Sequence, residues 1–97
     1  MPTYIILMNY TEQGIKNIKE APERTERLTK TLESMGGKVI GHYAVMGQWD
    51  RISIVEMPSD DVMASAALRM GAGGIIRTMT LKAWPMADFS KIIRALP

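Results

Sequence analysis

The chain has no cysteine among its 97 residues. Disulfides, thiol nucleophiles and thiolate metal sites are therefore excluded together. It has one histidine, the only side chain that titrates near neutrality when unperturbed. Any metal site would need carboxylates to complete it, which points away from zinc, and no metal is expected. No stretch approaches the ~20 apolar residues needed to span a bilayer. The opening Met1-Pro2-Thr3-Tyr4-Ile5-Ile6-Leu7-Met8-Asn9 has no basic segment and only a short apolar run, unlike a signal peptide. Neither sign of charge dominates. Twelve basic residues against ten acidic leave a net charge of +2, with the bases scattered, which is thin ground for a nucleic-acid partner. The expectation is a cytoplasmic protein with no cofactor and no nucleic-acid or membrane partner. What remains is ordinary globular composition, 46% hydrophobic and 23% charged. At this length it supports a single domain over residues 1–97, whose one core has little margin.

Apolar periodicity divides the chain into four strands and four helical segments. Tyr4 to Met8 is rich in β-formers and predicts a strand. Thr11 can cap a short helix from Glu12 to about Ile18, and Pro22 marks a fresh start near Glu20-Ala21. A longer helix then runs from Pro22 to Met35, with Thr25, Leu28, Leu32 and Met35 as its buried stripe. Gly36-Gly37 stops it. Lys38 to Met46 and Arg51 to Met57 read as strands about the hairpin loop Gly47-Gln48-Trp49-Asp50. Ser59 or Asp60 caps a helix carrying Val62, Met63, Ala66, Ala67 and Met70 on one face. Gly71-Ala72-Gly73-Gly74 follows that helix, whereas a phosphate-cradling loop precedes one. Ile75 to Trp84 is the fourth strand, Pro85 ends it, and Asp88 leads a last helix with Phe89, Ile92, Ile93 and Leu96 on one face. The order predicts an α+β fold of the ferredoxin-like, split βαβ type. Its four-stranded antiparallel sheet would have both crossover helices on one face.

That plan leaves the other sheet face bare, and a bare face on a monomer should alternate to polar residues. Here Tyr4, Ile6 and Met8 oppose Ile5 and Leu7. Val39, Tyr43 and Val45 oppose Ile40, His42, Ala44 and Met46, and Ile52 and Ile54 oppose Val55 and Met57. An exposed patch of this kind predicts self-association, as a homodimer with facing sheets or a higher homo-oligomer. The competing arrangement folds the terminal helix over the bare face of its own subunit.

Several segments resemble the GYD domain family. They are Met1-Pro2-Thr3-Tyr4, Asn9-Tyr10-Thr11-Glu12-Gln13-Gly14-Ile15, Gly47-Gln48-Trp49-Asp50, Glu56-Met57-Pro58-Ser59-Asp60 and Arg77-Thr78-Met79-Thr80-Leu81-Lys82-Ala83. The name-giving Gly-Tyr-Asp appears as Gly47-Gln48-Trp49-Asp50, with Trp49 in the tyrosine place. The resemblance implies a dimeric α+β barrel. It brings no particular activity, since the wider barrel group spans cofactor-free oxygenases, lactone isomerases and haem enzymes.

The candidate site residues are Tyr4, His42, Tyr43, Trp49, Asp50, Arg77 and Thr78. His42 reads either as a general base or ligand inside the barrel, or as a hydrogen-bonded strand histidine. Asp50 either holds the hairpin by accepting backbone amides or sits at the barrel mouth with Arg51 or Arg77, under Trp49. Arg77 and Thr78 interrupt an apolar strand. Arg77 can take a carboxylate or phenolate ligand, or pair with Glu56 across neighbouring strands. Nine methionines suit a deformable interior. These residues predict a small apolar or aromatic ligand between the sheet and the first helix. Catalysis, if present, would be cofactor-independent oxygenation or isomerisation with His42 as base. The alternative is an assembly module without a ligand. A cavity of roughly 300 Å³ or more lined by His42 or Tyr43 would favour the ligand.

Overall fold

A computed structural model describes all residues from Met1 to Pro97. Its elements are β1 (Thr3–Tyr10), α1 (Glu12–Lys16), a 3-10 turn (Ile18–Glu20), α2 (Ala21–Ser34), β2 (Lys38–Ala44), β3 (Arg51–Glu56), α3 (Asp60–Ala72), β4 (Ile76–Ala83) and α4 (Met86–Arg94). The strands form one antiparallel sheet in the order β2-β3-β1-β4. This is the ferredoxin-like arrangement that the order of apolar segments implied. No helix is long and apolar enough to cross a membrane.

Local chemistry accounts for the element ends. The Thr11 side chain accepts the Gly14 amide at 3.2 Å, satisfying one of the free donors of the first helical turn. The same hydroxyl donates to the Gly74 carbonyl at 2.7 Å, and the Thr11 amide donates to Ile75 at 2.9 Å. The cap therefore also pins α1 to the start of β4. Gly14 lies flush against the Ile75 backbone, where a Cβ would collide. Ser59 caps α3 by accepting from the Val62 amide at 3.2 Å. Gly36, at φ +88, ends α2 in the left-handed region. The terminal helix starts two residues before Asp88, because Pro85 is extended and serves as its N-cap.

The core lies between β1 and β3 and the two long helices. Tyr4, Ile6, Met8, Val55 and Met57 meet Leu32 of α2 and Met63, Ala66 and Met70 of α3. Only 11 of the 97 residues are buried, and none comes from the opposite sheet face. There Ile5, Leu7, Ile52 and Ile54 stay partly exposed, with Met79 at 50% and Leu81 at 43%. The terminal helix does not roof them, and none of its own residues is buried. The molecule extends 53 Å along its long axis, with a radius of gyration of 14.7 Å. A compact hundred-residue domain measures ~13 Å.

One register detail overturns strict alternation in β2. Val39 faces Val55, yet His42 faces Ser53, because a bulge between Val39 and Gly41 sets two residues against Ile54. A bulge re-aims every side chain beyond it. His42 therefore shares the helix-covered face with Val39, and Tyr43 lies on the bare face across Gly41. Alternation had grouped Val39 with Tyr43.

Candidate functional site

The helix-covered face carries two polar assemblies, one on each side of β1. The first is centred on His42. Its Nδ1 lies 2.6 Å from Ser53 Oγ and its Nε2 lies 2.9 Å from Thr29 Oγ1. Thr29 has a single hydroxyl proton and donates it to the Thr25 carbonyl at 3.0 Å. Thr29 therefore accepts from His42, the neutral ring carries its proton on Nε2, and fully buried Ser53 donates to Nδ1. Burial first, and then the Arg51 charge, lower the imidazole pKa. The neutral ring links β2, β3 and α2, and both of its nitrogens are occupied.

The second assembly forms where β1 begins. The Tyr4 hydroxyl donates to Asp60, whose other carboxylate oxygen takes Lys82 Nζ at 3.0 Å. Burial, then the bond to Asp60 and its charge, push the Tyr4 phenol up to about 12. Asp60 is lowered, chiefly by the Tyr4 hydroxyl and then by Lys82. The exposed ion pair adds little stability by itself. The trio ties β1, the first turn of α3 and β4 together. Beside it lies a cavity of about 240 Å³ lined by Tyr4, Asp60, Met63, Ala67, Thr80 and Lys82. Thr80 Oγ1 is buried here without a partner, and a buried hydroxyl in that state favours an incoming polar group.

The remaining sequence candidates are scattered. Asp50 Oδ2 accepts the Tyr10 amide at 3.0 Å, and the Asp50 amide donates to Met8 O and Asn9 Oδ1. The hairpin loop is thus stapled to the end of β1. Asp50 forms no ion pair with Arg51 or Arg77. Trp49, next to it, is half-buried. Arg77 is exposed, opposite Asn9, in a wide polar depression with Thr11, Glu12, Gln13 and Lys16. It cannot pair with Glu56 across neighbouring strands, because β1 separates β3 from β4 and Glu56 lies at the other end of the sheet. Thr78 faces Met8. Of the seven candidates, only Tyr4 and Arg77 line one of the five main cavities, and they line different ones. The cavity beside Tyr4 abuts the second crossover helix rather than the first. Asp60 was missed because capping of α3 explained it locally, and Thr80 and Lys82 because only Arg77 and Thr78 were singled out as polar in that strand. The one signal for Thr80 and Lys82 was a polar side chain at every second position of β4, shared with Thr78.

The profile of the GYD domain matches residues 4–93. The chain belongs to the GYD domain family. A relative in Thermus thermophilus, named as a glutamine synthetase and cystathionine beta-lyase binding protein, is 37% identical over 89 residues, 91% of this GYD chain and 94% of its own length. Two solved structures share the fold. An FFRP crystal structure superposes with a TM-score of 0.63 at 24% identity, over 87% of this chain and all of the other. A second crystal structure, of a Thermus thermophilus protein, gives 0.55 at 20% identity, over 88% and 95%.

Proposed function

We propose that this GYD domain is an interaction module. Two copies pack their bare sheet faces together, and the pair docks onto an enzyme. The observation that carries this reading is the unroofed apolar face, with Ile5, Leu7, Ile52, Ile54, Met79 and Leu81 reaching water. Each is already partly buried, so closing the rest gains about 1 kcal/mol apiece. A dozen such side chains across two copies roughly match the ~4–15 kcal/mol cost of association. The exposed stripe Phe89, Ile92, Ile93 and Leu96 of α4 tips the balance if it lies across the partner copy. The relative's name supports enzyme docking, since that protein is named for binding two enzymes. The expectation of a cytoplasmic protein goes with this reading, and cell fractionation tests it.

Sedimentation tests the assembly. The expected result is a dimer at micromolar concentration that Leu81→Glu converts to folded monomer. A well-folded wild-type monomer at that concentration removes the reading. Immobilised glutamine synthetase and cystathionine beta-lyase test the docking, and retention of neither would leave self-association alone. A second reading rests on buried, unpartnered Thr80 Oγ1: a small ligand with a polar end occupies the cavity beside Tyr4. Native mass spectrometry showing no bound mass beyond the protein would count against it. An oxygenase or isomerase would need a base, and Ser53 and Thr29 already take both His42 nitrogens.

A further inference from the structure

Between the two long helices, past the end of the core, lies a cleft of about 290 Å³. Four arginines converge on it, Arg24 and Arg27 from α2, Arg51 from β3 and Arg69 from α3. No carboxylate lines it. The one ion pair in the molecule, Lys82 with Asp60, sits at the opposite end of β1. Four arginines thus line one concave site, and none of them is in an ion pair. Its remaining wall is mainly apolar, formed by Leu28, Met70, Ile75 and Ile76, with Tyr10 among them.

Arg24 is the one arginine of the cleft held by backbone bonds. Its Nη2 donates to the Asn17 carbonyl at 2.9 Å and to Gly14 at 3.5 Å. Those bonds aim the guanidinium. Its Nη1 is buried and has no partner. A buried donor left open is where an incoming oxygen gains most. Guanidinium forks match the oxygens of phosphate, and several forks can grip one group. A single carboxylate has too few oxygens and too little charge to satisfy four. The apolar wall in turn favours a ligand with an organic body over a bare inorganic ion.

We propose that this cleft binds a phosphorylated small metabolite carrying at least two negative charges. The phosphate oxygens lie among Arg24, Arg27, Arg51 and Arg69, and the organic part lies against Leu28, Met70 and Tyr10. The site is on the helix-covered side of the sheet, so it stands independently of the self-association face.

Calorimetry on the intact protein with pyrophosphate and with ADP tests this. Both are expected to bind, more weakly as salt is raised. Arg27 and Arg69 are exposed on helix surfaces, so Arg27→Gln and Arg69→Gln should keep the fold by circular dichroism. Each is expected to weaken binding by roughly tenfold or more, the worth of a charge-assisted hydrogen bond. Lys30→Gln, on α2 but outside the cleft, leaves binding unchanged. His42 gives a separate readout, because the Arg51 charge helps hold its pKa down. Saturating pyrophosphate should raise the proton-NMR titration midpoint of this single histidine. No binding of either probe at millimolar concentration overturns the proposal, as does full affinity in the Arg27→Gln/Arg69→Gln double variant. Citrate binding as tightly as ADP overturns the phosphate assignment, and a fixed His42 midpoint places the anion elsewhere.

Discussion

The two faces of β1 have nearly the same composition and different fates. Tyr4, Ile6 and Met8 point into the helices, and Ile6 and Met8 are fully buried. Ile5 and Leu7, one residue out of phase, face the bare side and stay partly exposed. The difference lies not in the side chains but in what the chain lays over each face. Two crossover helices cover one side, and the terminal helix buries none of its residues against the other. Isoleucine at position 5 and isoleucine at position 6 are thus, respectively, a partly exposed surface residue and a core residue.

Substituting the two positions in parallel tests that contrast most severely. Ile6→Ala should destabilise the folded protein by about 2–5 kcal/mol in chemical denaturation, as a buried methylene loss plus a cavity. Ile5→Ala should cost about 1 kcal/mol or less in a dilute monomeric sample. Equal losses would mean that the bare face is core already. Next in size is the terminal helix. Ile92→Ser with Ile93→Ser should leave monomer stability within ~0.5 kcal/mol, since α4 buries no residue. If α4 lies across a partner copy, self-association should weaken by more than tenfold, each decade being worth ~1.4 kcal/mol. An unchanged sedimentation profile would detach the helix from the interface.

Two titrations sharpen the covered side and have smaller effects. The native His42 pKa lies below its ordinary value of 6.5, so the unfolded chain takes up the proton more readily. Stability is full above that value and falls as pH drops from it toward the native pKa. Denaturation at stepped pH should show this slope in wild type and lose it in His42→Gln. At the alkaline end, one of the three tyrosines should ionise only near pH 12 in the native protein. Absorbance titration of Tyr4→Phe should lack that step.

Much of the architecture was legible because it depends on local rules. Capping by Thr11 and Ser59, the stop at Gly36 and the helical stripes that include Leu32 and Met70 all follow from a few neighbouring residues. Long-range geometry was not legible. A bulge at Ile40-Gly41 moves His42 to the face beside Thr29, and no propensity in Val39-Ile40-Gly41-His42 announces it. The arginines of the open cleft come from three elements, and on α2 they lie outside the apolar stripe. Tyr4, Asp60 and Lys82 are far apart in the chain and meet only because β4 lies beside β1.

The order of strands and helices, the apolar character of both sheet faces and the absence of thiol chemistry were properties of the sequence itself, since composition and periodicity act over a few residues. Which apolar face became core, where His42 points and which charges share a cleft were settled only by the tertiary structure. Those outcomes depend on register and on elements brought together from distant parts of the chain, and no local preference encodes them.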